Sequence, residues 1–538
     1  MEIYQGKSIS GGIAIGRICI YCGRDPGVER CEIQDVPGEL LKLERAREAA
    51  ADQLEGLYAK ACEKTGKARA SIFRAHKVML EDEAYLGSIR SMIQKERVNA
   101  AYAVFVTGIL FADTFAAMED AGMRARSADV RDVSGRLVRL LEGVEENRIR
   151  LEPPAILLAE DLSPSETMLL ETEGLLALVL KKGAVNSHTA ILARSLDIPA
   201  LVQTGIGPLA ECDGMLAIAD GSEGKLILDP DPCTLEKMRE RKCRYEKEQE
   251  TLRSLVGQNA VSKDGRSLAV YANVGSLKEV EQAIYNDAGG IGLFRSEFLF
   301  LGKNGWPSEE EQFAVYRDAL QRMEGRTVAI RTLDIGADKS EPYMGLPEEE
   351  NPALGCRAIR FCLKREEVFR VQLRAICRAA AYGNCGVLLP MIVSPEEVRQ
   401  VRGILKEIRD GHAEKGIPFG PLALGVMIET PAAALMSREL AKEADFFSIG
   451  TNDLTQYALA MDRQNPELER YFDAKHPAVL RLIEMTVDSG HQAGIQVGIC
   501  GELAADPEMT GRFLEMGVDI LSVLPSKILP VRKAILSA

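Results

Sequence analysis

The pattern of hydrophobic and polar residues divides the chain into three parts. The first twenty residues alternate as strands do, with glycines at positions where a turn or bulge is expected. From about Pro37 to Glu142, apolar residues recur at i, i+3, i+4 and i+7, which predicts a small bundle of amphipathic helices. Strand-like runs return from Pro153 and alternate with helical segments. We therefore expect a small α/β domain with the helical block inserted into it or beside it.

The C-terminal half carries the clearest architectural signal. Short apolar, β-rich runs recur there, and helical stretches separate them. Eight strands that alternate with helices over this length predict a (β/α)₈ barrel, also called a TIM barrel. The runs are SLAVYANV (267–274), GIGLFRSE (290–297), TVAIRTLD (327–334), GVLLPMIV (386–393), LALGVMIE (422–429), FFSIGTND (446–453), QVGICGE (496–502) and ILSVLPS (520–526).

Several of these runs end in side chains that can take part in chemistry. A lone carboxylate at a strand end is as often a cap or a loop anchor as a functional group. In a barrel, however, the C-terminal strand ends converge on one mouth, where active sites lie. The coincidence of such groups at several ends therefore favours a site. The residues are Arg295, Arg331, Glu429, Asn452, Asp453 and Cys500.

The types of these side chains suit one class of ligand. Glu429 and Asp453 offer hard oxygen ligands for Mg²⁺, which takes one or two carboxylates and fills its octahedron with substrate and water. Arg295 and Arg331, together with Arg463, offer planar forks suited to phosphate and carboxylate. We therefore expect a small, oxygen-rich anion, and phosphoenolpyruvate is one.

Two further residues are candidates for proton and phosphoryl chemistry. Cys500 has no base beside it in sequence, but a thiol that faces the substrate could protonate the methylene carbon of an enolate. Without that context, a buried inert cysteine would be the better interpretation. His188 lies in GAVNSHTAILARSLDIPA (183–200), where Asn186 or Ser187 can cap a helix that begins near the histidine. A phosphate on its ring would face the exposed N–H groups of the first turn.

Composition adds limits to this picture. Hydrophobic residues make up 46% and charged residues 27% of the 538 residues, which is ordinary for a globular protein. The net charge of −14 argues against binding to nucleic acid or to an anionic membrane surface. Neither a signal peptide nor a membrane-spanning run is recognisable, so we expect a cytoplasmic protein. The twelve cysteines are scattered, and the Cys19–Cys22 spacing lacks the second pair of a zinc site.

At these residues the chain resembles Enzyme I of the bacterial phosphotransferase system, a family of phosphoenolpyruvate–protein phosphotransferases. The resemblance runs essentially from end to end, and the order of the motifs is highly specific. The segment SHTAILARSLDIPA resembles the phosphohistidine signature of the family. The other matching segments are SISGGIAIG, EDLSPSET (160–167), GLFRSEFLF (292–300), RTLDIGADK (331–339), NPALGCRAIR (351–360), GVMIETPAA (425–433), GTNDLTQYALAMDR (450–463), HPAVLRLI (476–483) and GICGELAAD (498–506).

The resemblance implies a role for each candidate residue. His188 would accept the phosphoryl group, and Cys500 would protonate enolpyruvate to give pyruvate. Mg²⁺ would be held by Glu429 and Asp453. The phosphate and carboxylate of the substrate would be bound by Arg295, Arg331, Lys339, Asn452 and Arg463.

The resemblance also implies a multidomain α/β architecture. A swivelling phosphohistidine α/β domain would comprise residues 1–20 and 145–230, and an inserted helical bundle that binds the carrier protein HPr would comprise 21–144. A linker helix at 231–260 would lead to a phosphoenolpyruvate-binding TIM barrel at 261–538, through which the protein would form a homodimer. The implied reaction passes the phosphoryl group to a histidine of HPr, as the first step of the sugar phosphotransferase system.

Some positions depart from the commonest family pattern, and other functions compete. The departures are Gly12, Lys182, Ala184, Asn186, Ala337 and Cys356, and they bear on the reactivity of His188 and on the choice among HPr paralogues. A pyruvate phosphate dikinase or phosphoenolpyruvate synthase would need an ATP-grasp domain, for which the region before residue 150 is too short and too helical. A regulatory paralogue would signal to another HPr-like protein. A scaffold without catalysis is disfavoured because every expected reactive residue is present.

Overall fold

The computed structural model describes most of the chain and divides it into two compact units, Met1–Glu248 and Gln249–Ala538. The described residues are all those outside 22–27, 66, 119–120, 145–148, 184–187, 197, 208, 304, 337–340, 347–348 and 464. In a few helical stretches only the backbone is described, and His188 belongs to these.

The N-terminal unit combines one mixed sheet with a block of long helices. The strand order is β1-β8-β7-β3-β4-β5-β6-β2, in which β3, β4, β5 and β6 run parallel. The helical block lies in the chain between β3 and β4, as the periodicity predicted. The elements are β1 (Glu2–Gln5), β2 (Lys7–Ser10), β3 (Ile13–Tyr21), α1 (Val36–Thr65), α2 (Lys67–Met79), α3 (Glu83–Glu96), α4 (Ala100–Ala116), α5 (Ala121–Leu141), β4 (Ala155–Ala159), α6 (Pro164–Leu169), β5 (Leu175–Leu180), α7 (His188–Leu196), β6 (Ala200–Val202), β7 (Leu216–Asp220), β8 (Lys225–Leu228) and α8 (Pro232–Arg253).

The C-terminal unit is a closed barrel of eight parallel strands, so the predicted fold class is confirmed. Each predicted run overlaps one strand, although β12 begins one residue before its run, and the last strand pairs with the first. The elements are β9 (Ala269–Val274), α9 (Leu277–Tyr285), β10 (Ile291–Arg295), α10 (Glu309–Arg322), β11 (Val328–Arg331), α11 (Ile359–Lys364), α12 (Glu366–Ala379), β12 (Cys385–Leu389), α13 (Pro395–Glu414), β13 (Leu422–Ile428), α14 (Pro431–Leu435), α15 (Ser437–Leu440), β14 (Phe446–Ile449), α16 (Thr451–Leu459), α17 (Pro477–Gln492), β15 (Gln496–Ile499), α18 (Thr510–Met516), β16 (Ile520–Val523) and α19 (Ile528–Ser537).

Burial of apolar side chains explains both the strands and the helices of the barrel. The strands of the barrel are buried on both faces because helices cover the outside, so they read as continuous apolar runs. β12 (CGVLL) is buried at every position. The helices of the barrel bury one stripe each, as α12 does with Phe369, Leu373 and Ile376. Within the described ranges, no helix has both the length and the apolarity to cross a bilayer.

Candidate active site at the barrel mouth

A cavity of about 1220 Å³ opens at the C-terminal ends of the barrel strands. Arg295 and Arg331 end β10 and β11 and lie opposite each other in the parallel register. The other predicted residues follow β13, β14 and β15, whose ends point to the same mouth. Seven of the predicted site residues line this cavity: Arg295, Arg331, Glu429, Asn452, Asp453, Arg463 and Cys500.

Two buried arginines are held by carboxylates at one side of the cavity. Arg331, which is 6% exposed, forms ion pairs with Glu297 and with Asp334, the latter at 3.1 Å. Arg357 donates to both oxygens of Asp334, at 3.0 and 3.2 Å. Its other terminal nitrogen donates to the hydroxyl of Tyr457. The four charged groups therefore form a buried chain that fixes both guanidinium planes.

Both arginines remain positively charged although they are buried. Burial alone would lower the pKa of Arg331, but the carboxylates of Glu297 and Asp334 outweigh it and raise the pKa. The pKa of Arg357 is raised in the same way, chiefly by Asp334. Arg295 and Arg463 differ, because no described residue forms an ion pair or a side-chain hydrogen bond with either guanidinium. These two fork-shaped cations are available to an anion in the cavity.

Two carboxylates of the same cavity, Glu429 and Asp453, fit a divalent cation. Glu429 is 1% exposed, and its Oε1 accepts the N–H of Met391 at 2.7 Å. Burial raises the pKa of Glu429, and repulsion from Asp453 raises it further. Arg331 and Arg357 act on this pKa in the opposite direction, and a divalent cation would favour the ionised form further. Two carboxylates that face the oxygen atoms of an anionic ligand match the way in which proteins bind Mg²⁺.

Cys500 faces the cavity from an apolar wall. Its thiol packs with Leu293, Leu388 and Met427, and Sγ lies 3.6 Å from the carbonyl oxygen of Ile449. Burial raises the pKa of the thiol to about 11. Cys500 therefore carries its proton at neutral pH. A group in this state can act as an acid but is a poor nucleophile.

Asn452 and Asp453 lie in the first turn of α16, directly after β14. The side chain of Asn452 exchanges two hydrogen bonds with Glu502, which lies two residues after Cys500. The N-terminal turn of a helix exposes backbone N–H groups and the positive end of the helix dipole. This end of the cavity therefore favours negative charge.

His188 is the first residue of α7 in the N-terminal unit, and its side chain lies outside the described residues. Next to it, the buried Thr189 shares a hydrogen bond of 2.9 Å with Thr167 on α6. α6 begins with a capping box, in which the Ser163 side chain accepts from the backbone of Glu166 and the Glu166 side chain accepts from Ser163. The start of α7 is thus tied to a rigidly capped neighbour. Lys339 and the departures Ala184, Asn186 and Ala337 also lie outside the described residues.

Six charged residues that line the cavity were not assigned by the sequence analysis: Glu297, Asp334, Glu350, Arg357, Asp462 and Glu502. Arg357 stood within the quoted segment NPALGCRAIR, but it lies in the loop between β11 and α11 and not at a strand end. Asp334 and Glu297 follow β11 and β10 within quoted segments, and only their pairing with Arg331 identifies their role. Glu502 could have been found from its place in GICGE at the end of β15.

Three family profiles match successive parts of the chain. A family profile described as the PEP-binding domain of PEP-utilising enzymes matches residues 249–538. Profiles for the N-terminal domain and the mobile domain of PEP-utilising enzymes match residues 5–126 and 151–224.

Individual relatives match over nearly the whole chain. The phosphoenolpyruvate-protein phosphotransferase of Geobacillus stearothermophilus is 41% identical over 98% of this chain and 92% of its own length. The protein of the same name from Bacillus subtilis is 38% identical over 99% of this chain and 94% of its own.

A solution structure of an Enzyme I (nEIt) protein is 34% identical and covers 45% of this chain and 99% of its own, with a TM-score of 0.38.

Proposed function

The chain belongs to the phosphoenolpyruvate-protein phosphotransferases, and we propose that it moves the phosphoryl group of phosphoenolpyruvate to its own His188 and then to a histidine of HPr. It is a transferase that uses phosphoenolpyruvate as its phosphoryl donor. The reaction releases pyruvate and is the first step of a sugar phosphotransferase system.

One observation carries the proposal for the barrel. Arg295, Arg331 and Arg463, an amide and two carboxylates converge on one cavity beside a protonated thiol. Phosphoenolpyruvate has a phosphate, a carboxylate and a methylene carbon that must gain a proton. The groups that line the cavity supply cations for the first two and an acid for the third.

Positioning and neutralisation of charge account for most of the catalysis in this proposal. Arg295, Arg331 and Arg463 bind and orient the phosphate and the carboxylate, with Asn452 and Lys339 as further donors. Glu429 and Asp453 would hold Mg²⁺, which would supply positive charge for the phosphoryl oxygens. Phosphoryl transfer needs little else from the protein, because its transition state develops charge on oxygen atoms that fixed cations stabilise.

The proton balance assigns the role of Cys500. The bond from phosphorus to the enol oxygen breaks, and a bond from phosphorus to a ring nitrogen of His188 forms. The enolate of pyruvate that leaves takes a proton at its methylene carbon from the Cys500 thiol. The thiolate then regains a proton from water, which its high pKa favours.

The remaining parts of the proposal concern partners, location and domains. HPr docks on the helical domain, the barrel forms a homodimer, and the protein works in the cytoplasm. The predicted domains (1–20 with 145–230, 21–144, 231–260 and 261–538) remain our proposed division. The phosphohistidine domain swivels so that one histidine serves both donor and carrier.

Labelling with ³²P-phosphoenolpyruvate tests the central step. With Mg²⁺ present, we expect an acid-labile, base-stable label on the peptide that contains His188. His188→Ala should lose the label, whereas His491→Ala, at a half-exposed histidine of the barrel paired with Asp519, should keep it. A label on another residue, or none on a folded wild-type protein, would overturn the proposal.

Two additional measurements separate the steps. His188→Ala should still bind phosphoenolpyruvate in the presence of Mg²⁺, as calorimetry can show, and a loss of binding would mean that the histidine is also needed for binding. Addition of purified HPr should remove the label from the wild-type enzyme. Retention of the label would exclude HPr as the acceptor.

A further inference from the structure

Glu502 is one of seven carboxylates on the wall of the proposed anion site, which also holds four arginines. It lines the cavity together with Arg295, Arg331 and Arg463. By Coulomb's law alone, its carboxylate should weaken the binding of phosphoenolpyruvate. Glu297 and Asp334 pair with Arg331, whereas Glu502 bonds to an amide, so its role lies in the contacts with that amide.

Those contacts join Glu502 to Asn452 in both directions. The Nδ2 amide of Asn452 donates to Oε1 of Glu502 at 3.0 Å, and the backbone N–H of Glu502 donates to Oδ1 of Asn452 at 2.9 Å. A backbone N–H can only donate and an ionised carboxylate can only accept. The pair therefore fixes which end of the Asn452 amide is oxygen and which is nitrogen.

The fixed amide has one hydrogen to spare. Nδ2 carries two hydrogens, and one is bonded to Glu502. The other has no acceptor among the described residues, and Asn452 lines the cavity. If the amide rotated by half a turn, it would present an oxygen to the anion in place of this donor.

The path of the backbone brings Asn452 and Glu502 together. Cys500 donates its N–H to the carbonyl of Ile449 at 3.0 Å, which continues the pairing of β14 with β15. At Gly501, a Cβ atom would lie 1.9 Å from Oγ1 and 2.7 Å from the backbone nitrogen of Thr451. Glycine is therefore required for the close approach of the two segments. A 3₁₀ turn from Glu502 to Ala505 then sets the direction of the Glu502 N–H.

From this geometry we infer that Glu502 is a positioning residue for the transfer reaction, which holds the Asn452 amide with its N–H directed at the substrate. The inference rests on the proposed function. It also explains why a carboxylate is present in an anion site, since the carboxylate is the acceptor that selects the donor end of the amide. Glu502 itself need not touch the substrate.

Three variants separate positioning from simple charge. Glu502→Ala removes the acceptor and should raise KM for phosphoenolpyruvate about tenfold, because a hydrogen bond to a charged ligand becomes misdirected. Glu502→Gln keeps an acceptor oxygen without the charge, and its KM should be at or below that of the wild type. Glu508→Ala, at an exposed carboxylate paired with Lys475, is the matched control and should leave KM unchanged. kcat should change by less than twofold in all three.

The outcomes are distinct. A lower KM in Glu502→Ala would mean that the charge acts only by repulsion, and an unchanged KM would mean that the contact is dispensable; either result overturns the inference. A loss of kcat in Glu502→Gln equal to that in Glu502→Ala would point to a proton carrier and would also overturn it. In an Asn452→Ala background, Glu502→Ala should have no further effect.

Calorimetric titration with phosphoenolpyruvate distinguishes this inference from the proposed function. Affinity for phosphoenolpyruvate can be measured in His188→Ala, where no transfer occurs. If wild-type protein fails to label but Glu502→Ala still weakens binding and Glu502→Gln restores it, the proposed transfer fails and the positioning role stands. If labelling succeeds and the affinities of all variants agree, the positioning role fails alone.

Discussion

Asp334→Asn tests whether the buried chain of charges supports the barrel mouth. Asp334 is 2% exposed and lies between Arg331 and Arg357, with three nitrogen–oxygen distances of 3.0 to 3.2 Å. The substitution keeps the shape of the side chain but replaces one acceptor oxygen with an NH₂ group, which would face an arginine donor. Arg357 would then lose its only charged partner among the described residues, and Arg331 would keep Glu297 alone.

The expected loss is large for a change of one atom. Removing one partner of a buried ion pair costs about 3 to 5 kcal/mol. In a domain of this size, each kcal/mol lowers the midpoint of unfolding by about 2 °C. We therefore expect the barrel transition of Asp334→Asn to fall by about 6 to 10 °C, measured by differential scanning calorimetry of the full chain. Inorganic phosphate should restore part of the loss, because an anion can take the place of the carboxylate.

The matched control is Asp318→Asn, which removes a carboxylate of α10 that pairs with Arg317 at 3.0 Å near the surface. Exposed pairs contribute about 0 to 1 kcal/mol, so its midpoint should stay within about 2 °C of the wild type. If the unfolding midpoint of Asp334→Asn equals that of the control, or if the variant is more stable than the wild type, the buried chain of charges does not stabilise the barrel mouth.

Three other predictions follow from the packing, the thiol and a helix cap. In Gly425→Ala, a Cβ would lie 2.1 Å from the ring of Phe446. Calorimetry should therefore show that the free energy of unfolding falls by about 1 to 3 kcal/mol. The control is Gly403→Ala in α13, where a Cβ meets no atom within 4 Å, and it should be neutral or stabilising. Burial disfavours the thiolate of Cys500 and raises the pKa to about 11. The difference in thiolate absorbance between wild type and Cys500→Ser should therefore appear near that pH. A titration midpoint near the ordinary value for cysteine would contradict this prediction. Ser163→Ala removes the capping box of α6 and should lower the stability of the N-terminal unit by about 1 kcal/mol; an unchanged unfolding midpoint would mean that the cap is not needed.

His412 shows that a buried residue can stand in a polar stretch of sequence. It lies near the end of α13 and is only 4% exposed, packed beside Phe419. Burial lowers the pKa of His412, so its ring is more readily neutral. The polar sequence around it, EIRDGHAEKG, shows no sign of this, because one helix face can be buried while its neighbours along the chain are exposed.

The elements of the fold and the ends of the barrel strands could be predicted from the sequence. Apolar runs such as VAIR and LALGVMI became strands because both faces of a barrel strand are buried, and that requirement is written locally in consecutive residues. Arg295, Arg331 and Cys500 could be placed at one mouth because parallel closure brings all strand ends together.

The pairing of the side chains at that mouth depends on the tertiary structure. Arg357 reaches the cavity from a loop, and its partner Asp334 is 23 residues away along the chain. Asn452 and Glu502 are 50 residues apart, and they meet because Gly501 allows two backbone segments to touch. No local pattern encodes such contacts. They depend on the path of each loop and on the burial of charge between elements, which the closed barrel alone defines.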